Sequence, residues 1–357
     1  MAILYANLAL VFSFSFLSRV SARTGLEQSV FEPVTVRPNR FFAFFAMMTL
    51  VVVSGLRINI GDTYYYRHAF ETNVFTLEDA VSQKDFGFAV MQYLLQQISG
   101  DAQILIFVTA LITNVLIVMV LYKYSRVFEL SLYVYITSGL FLVSMNGIRQ
   151  FLAAAIIFAA TKYIMDGSWK KFTIVVLIAS AFHQSALIFI PIYFIVRRPA
   201  WSQVTFGILL AGLIMVAGYG YFSEVLFSAI GDSQYGHYAE FSEGGASILR
   251  VLVYGAPLLI AYLGRERLRE LFPNGDFIVN LCVLNLLFMI VASQNWIFAR
   301  FTIYFGLYQL ILVAWIVKLF AEKDRKLVYY LILIFYFLFF YYEHVLALNI
   351  EYRSNFF

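Results

Sequence analysis

Nowhere does this chain contain a stretch polar enough to fold as a separate soluble domain. Charged residues are only 13% of its 357, against 62% hydrophobic, and mean hydropathy is +0.80. The single cysteine, Cys282, falls inside an apolar run, so no intrachain disulfide can form and the redox compartment is not indicated. There is no glycine-rich phosphate loop, no paired-histidine metal spacing and no Asp-x-Asp pair on an outer segment. Those absences argue against a cytosolic nucleotide-sugar donor and lead us to expect neither cofactor nor metal. The net charge of +4 does not point to nucleic acid, because the cations follow membrane topology rather than clustering in one patch.

What is present is a series of apolar runs of about 16 to 22 residues, the length a helix needs to cross hydrocarbon. They predict an all-α polytopic membrane protein, one integral domain over 1–357. The expected spans are 1–18, 41–56, 103–122, 128–145, 148–165, 203–222, 248–263, 277–293, 301–319 and 327–342. The first has no Lys or Arg before it but Arg19 and Arg23 after it, the reverse of a cleaved signal, so it is read as an uncleaved span. Between Lys171 and Arg197 lies an apolar segment with basic residues at both ends and His183 in the middle. A single crossing would reverse every later loop; two short helices, 172–182 and 185–196, keep the basic loops on one side. Each would be roughly 17 Å long, so the pair dips in and returns or spans a thinned region. This scheme of about ten full spans plus a short pair places both termini outside.

Sorted this way, 18 of the 25 Lys and Arg face the cytoplasm, including Arg37, Arg40, Lys170, Lys171, Arg197, Arg198 and Arg265. The exceptions at outer membrane edges are Arg57, Arg67, Arg149, Arg250 and Arg300, which the positive-inside bias should have removed. Guanidinium grips phosphate oxygens bidentately and stays charged, so cations kept there suit a lipid diphosphate. Arg149 opens a span rich in small residues (Ala153, Ala154, Ala155) that let helices approach closely, placing it and Gln150 at the mouth of a packed bundle. Each arginine could instead snorkel to headgroups. Arg250, one turn into its span, is the weaker candidate.

Two groups could act as a base. His183 sits where a helix breaks inside the membrane region, and broken helices occur where backbone lines a cavity; a structural histidine pinning the turn is the alternative. Asp62 is the carboxylate nearest the outer edge after Arg57 and could deprotonate a hydroxyl or merely pair with Arg57 or Arg67. Tyr64, Tyr65, Tyr66 and Trp296 could stack on sugar rings or belong to the aromatic belt. The outer segment 57–102 carries an apolar stripe at Phe88, Met91, Leu94, Leu95 and Ile98 with Gln92, Gln96 and Gln97 turned away, as in an interfacial helix. Residues 223–247 read as a lid-like outer loop.

The strings Gly55-Leu56-Arg57, Gly61-Asp62 with Tyr66, Asp85-Phe86-Gly87-Phe88, Asn146-Gly147-Ile148-Arg149-Gln150 and Ala181-Phe182-His183-Gln184-Ser185-Ala186 resemble the EpsG family of Wzy-type bacterial polysaccharide polymerases. The resemblance is densest over residues 1–200; later, Arg300 with Tyr304 is the best match. Where many relatives carry Glu-Pro-Gly or Asp-Pro-Gly, this chain has Asp85-Phe86-Gly87. The resemblance implies a multi-pass enzyme of the bacterial inner membrane with its site facing outward. It would transfer a growing glycan from polyprenyl diphosphate to the next lipid-linked repeat unit, in exopolysaccharide or O-antigen assembly. Implied partners are the polyprenyl-diphosphate-linked donor and acceptor, membrane lipids, and a flippase and chain-length regulator of the same system. Competing readings are a polyprenyl-phosphate-sugar glycosyltransferase or ligase, and a lipid-linked oligosaccharide flippase or transporter.

Overall fold

Hydrocarbon offers backbone amides no hydrogen-bond partner, so long apolar runs satisfy them internally as helices. The computed structural model describes residues 1–24, 36–73, 76–222 and 245–357. Apart from a two-residue antiparallel ladder pairing Arg23 with Arg37 and Thr24 with Val36, the regular structure of those residues is helical. The elements used below are α1 (Ala2–Val20), α2 (Arg40–Gly55), α3 (Thr63–Thr72), α4 (Leu77–Ser82), α5 (Phe86–Gln96), α6 (Gln103–Tyr124), α7 (Phe128–Thr137), α8 (Leu140–Asn146), α9 (Ile148–Ala159), α10 (Thr161–Met165), α11 (Trp169–Phe182), α12 (Phe189–Val196), α13 (Gln203–Ala217), α14 (Ile248–Leu263), α15 (Arg265–Leu271), α16 (Asp276–Ala292), α17 (Ala299–Ile316) and α18 (Glu322–Phe340).

The chain is a helical membrane protein, but not one of ten regular spans. Among the described residues four helical stretches are long and apolar enough to cross, Ala2–Val20, Gln103–Tyr124, Trp296–Leu319 and Glu322–Ala347. Counting bent pairs as single spans raises this to six. The expected run 128–145 is broken by a 56° bend between α7 and α8, where Gly139 takes φ +86°, and 148–165 divides into α9 and α10. Apolar length in the sequence overstates span length wherever a turn interrupts the helix without a polar residue to mark it.

Side-chain bonds sort the helix ends into two groups. At one end, Arg19 pairs with Glu129, the Tyr122 hydroxyl donates to the Pro38 carbonyl at 2.7 Å, and Trp315 Nε1 donates to the Tyr124 carbonyl at 2.8 Å. Arg197 reaches the Ile164 carbonyl at 2.9 Å and Arg269 that of Ala200 at 3.0 Å. This end holds the basic loops. At the other, Gln103 donates to the Gly55 carbonyl at 2.6 Å, and the Asp62 amide donates to Asn146 Oδ1 at 2.8 Å. Residues 350–354 lie against the end of α2 there: Tyr352 hydroxyl to Val53 carbonyl at 2.8 Å, Ser354 hydroxyl to Leu56 carbonyl at 2.8 Å, and Ile58 amide to Arg353 carbonyl at 3.0 Å.

The expected short pair exists. α11 runs away from the basic end, turns at His183 and returns through a 3₁₀ turn (Gln184–Ile188) and α12. Phe172, early in α11, packs on Tyr193, late in α12, with ring centres 5.2 Å apart. α7, α8, α9 and α17 form the core; all ten residues of α7 are buried, and Ser131 donates to the Leu310 carbonyl of α17 at 2.8 Å. Apolar side chains on α11, α13 and α18 point outward (Leu177, Leu213, Leu338), as lipid-facing helices require. α5 differs in register from the expected stripe: Phe88, Ala89, Gln92 and Leu95 face inward, whereas Leu94 and Ile98 are exposed. Gln92 is buried and Gln96 bonds the Phe70 and Asn73 carbonyls, so two of the three glutamines serve packing.

Candidate functional site

The broken helices meet around one cavity of about 560 Å³ at the end opposite the basic loops. The α8–α9 junction supplies Asn146, Arg149 and Gln150; the turn before α3 supplies Asp62, and α3 itself Tyr66. The α11 turn supplies His183, α14 supplies Arg250 and Tyr254, and the start of α17 supplies Arg300, with Trp296 just before it. Eight of the thirteen residues singled out by sequence therefore line one space. The other five, Arg57, Tyr64, Tyr65, Arg67 and Tyr304, do not.

Arg57 lies apart from this cavity. It is 1% exposed, and each guanidinium nitrogen is used internally: Nε to the Thr63 hydroxyl at 3.0 Å, Nη1 to the Ser54 carbonyl, Nη2 to the Met145 carbonyl at 2.8 Å. It pins α2 to the end of α8 and, buried there, does not reach the cavity. Arg67 likewise bonds Gln103 at 2.7 Å and neighbours Asp101 and Glu71 at 3.6 and 3.7 Å. Neither arginine pairs with Asp62.

The wall around Arg149 is organised by Asp85, a residue whose role the sequence left open. Its Oδ2 accepts from Arg149 Nη1 at 3.0 Å, and its Oδ1 accepts the backbone N–H of Gln184 at 3.1 Å. Asp85 can reach both because Gly87 lets α5 lie against α11: a Cβ there would stand 2.9 Å from that of Ala181. One carboxylate thus orients the arginine and ties down the turn that carries His183. Arg149, 42% exposed on its side chain, also stands over the Tyr66 ring at 5.9 Å. Burial raises the Tyr66 phenol above its ordinary value, with Arg149 opposing, so it is a neutral hydroxyl. Gln150 donates to the Arg300 carbonyl at 3.0 Å, locking α9 to α17, and the Arg300 guanidinium lies 5.3 Å from the Trp296 ring centre.

His183 is 6% exposed. Its Nδ1 is 2.7 Å from the Ser185 hydroxyl, which in turn is 2.8 Å from that of Tyr304. This relay accounts for Tyr304, which orients the histidine from behind rather than lining the cavity. With Nδ1 engaged, Nε2 is the ring nitrogen that can serve the cavity. Burial lowers the imidazole to about 4; Asp85 opposes this, while Arg149 and Arg300 add to it. A neutral ring is the form that accepts a proton.

The far wall contains residues the sequence reading did not single out. α18 continues into a π-helical turn, Tyr341–Ala347, that directs Glu343 and His344 inward. Glu343 accepts from Arg250 Nε at 2.6 Å, and His344 packs against Gly139, where a Cβ would stand 2.4 Å from Nε2. No periodicity announces a π turn, so only tertiary packing reveals this pair. The 223–247 lid lies, for residues 223–244, outside the described residues. No group of three metal-binding side chains occurs among the described residues.

Comparison with curated proteins and with solved structures gives no match. The sequence profile described as EpsG family matches residues 40–354, well beyond the first 200 where the resemblance was densest. That match takes in the α8–α9 junction, the His183 turn, the start of α17 and the π-helical turn, all the elements around the cavity. The chain belongs to the EpsG family, a family of Wzy-type polysaccharide polymerases.

Proposed function

We propose that this protein polymerises polyprenyl-diphosphate-linked oligosaccharide repeat units, and that the cavity behind Arg149 is where the glycosidic bond is made. In this reading the donor diphosphate lies between Arg149 and Arg300, whose guanidinium groups stabilise the charge that builds as the anomeric carbon–oxygen bond breaks. The acceptor sugar hydroxyl attacks the anomeric carbon, its proton passes to His183 Nε2, and polyprenyl diphosphate leaves. Asp62, on the same cavity, is the alternative base. Tyr66 and Trp296 offer ring faces to sugars, and Arg250 offers a further cation at the far wall.

The observation that carries the reading is the meeting of Arg149, Arg300, His183 and Asp62 on one cavity, remote from the basic loops. The positive-inside rule supports a reading in which those loops face the cytoplasm of a bacterial inner membrane and the cavity and both termini face outward. The shorter helices then complete the crossings in a locally thinned bilayer. Flippase and chain-length regulator are the expected neighbours.

Purified protein incubated with a synthetic polyprenyl-diphosphate oligosaccharide should give a ladder of longer products, which Arg149→Ala abolishes without loss of membrane insertion. Normal ladders from both Arg149→Ala and Arg149→Lys would overturn the diphosphate assignment. A single added unit would identify a transferase or ligase, and movement of lipid-linked sugar between leaflets without bond formation a flippase.

A further inference from the structure

A second cavity lies at the opposite, cation-rich end and takes no part in the chemistry above. It is a groove of about 470 Å³ between α2 and α6. Phe44 and Met47 from α2 and Val118 and Met119 from α6 form its walls. Phe44 and Met119 are strongly exposed, 50% and 61%, so the groove opens sideways toward the surrounding lipid. Its rim carries three cations, Arg37 and Arg40 where the chain enters α2 and Lys123 at the end of α6. Among the described residues no carboxylate lines it. The rim is held in place: Tyr122, also lining the groove, donates to the Pro38 carbonyl at 2.7 Å, and the Lys123 ammonium sits 5.6 Å from the Tyr124 ring centre.

Apolar walls ending in a ring of positive charge match a molecule with a hydrocarbon tail and an anionic head. Basic pockets between membrane helices on the cytoplasmic side take phosphate headgroups by this combination, and the volume falls within the range of ligand-burying clefts. The lateral opening excludes a purely soluble phosphate compound as the natural occupant, since Phe44 and Met119 would then face hydrocarbon with nothing seated between them.

We propose that this groove is a binding site for an anionic phospholipid of the leaflet at the cation-rich end, the acyl chain lying between Met47 and Val118 and the phosphate meeting Arg37, Arg40 and Lys123. The site clamps α2 against α6, and α2 is the helix whose far end Arg57 pins to α8.

The test uses the full chain purified in detergent and exposed to equimolar phosphatidylglycerol and phosphatidylcholine, with retained lipid counted by native mass spectrometry. The expected result is a preference of roughly tenfold or more for phosphatidylglycerol, weakened about fivefold for each of Arg37→Gln, Arg40→Gln and Lys123→Gln. Met119→Trp, which fills the groove from its exposed side and leaves the cations untouched, should lose retention of both lipids. Equal retention of the two lipids by the unaltered chain, an unchanged preference in all three cation variants, or full retention by Met119→Trp would each overturn the proposal. So would displacement of phosphatidylglycerol by an equal amount of polyprenyl phosphate, which would make the occupant a substrate-type lipid. None of these outcomes depends on whether the opposite cavity makes glycosidic bonds.

Discussion

Replacing Asp85 by Asn tests the site's organisation without touching any group proposed to meet substrate. The carboxylate is 7% exposed and makes two bonds, to Arg149 at 3.0 Å and to the Gln184 amide at 3.1 Å. Asparagine keeps one oxygen acceptor for the amide but removes the charge that holds the guanidinium. A hydrogen bond to a charged group contributes about 1.5–3 kcal/mol, and the 42% exposure of Arg149 puts this one at the lower end. About 1.5 kcal/mol lost from positioning corresponds to a roughly tenfold fall in rate. Asp85→Ala also removes the acceptor of the part-buried Gln184 N–H, a bond that contributes about 0.5–1.5 kcal/mol, so its rate should fall by a further factor of roughly two to ten. The measurement is the initial rate of ladder formation from lipid-linked oligosaccharide, alongside thermal unfolding of each variant. Asp85→Asn turning over at the unaltered rate would refute the claim that this carboxylate sets Arg149. A rate loss fully explained by unfolding at the assay temperature would refute it as well.

Arg57→Ala should destabilise the fold by about 3 kcal/mol or more, since the Met145 and Ser54 carbonyls lose their donor and a cavity opens; a folded yield and melting temperature equal to the parent's would show that Arg57 is not a pin. With the His183 imidazole lowered to about 4, its base form is present throughout pH 5.5–8, so polymerisation should not lose activity in that window through a group titrating near 6.5. A rate that falls through pH 6.5 in the parent and not in His183→Gln would contradict this. The linked stability has the same sign: burying the neutral ring stabilises the fold above the unfolded value near 6.5, and this is lost as pH falls toward about 4. Gly139→Ala forces a side chain into φ +86° and against His344, costing about 1–3 kcal/mol, and should lower both melting temperature and turnover; an unaffected variant would show that the far wall is not needed.

How far the sequence led varies with the kind of signal. Arg149 and Arg300 were legible as cations on the wrong side of the membrane, and both line the cavity. Arg57 carried the same signal for a different reason, because carbonyls at two helix ends need a buried donor as much as a phosphate needs a clamp. Topology bias reports that a charge has been kept, not what keeps it. The turn at His183 was legible from the basic residues flanking the short pair. Asp85 was visible as a residue but not as a partner, since Arg149 lies 64 positions away. Glu343 and His344 were hidden because a π turn arises from packing at the end of α18, not from any spacing in the residues.

The stitching of residues 350–354 onto the end of α2 has a temporal meaning. The Tyr352–Val53 bond joins positions 299 apart, so a ribosome must deliver nearly everything in between before that seam can close. Until then Asn59, which accepts from the Arg353 amide, waits beside an unfinished vestibule. Nascent chains therefore close this face of the fold late, only after residues 350–354 have been made.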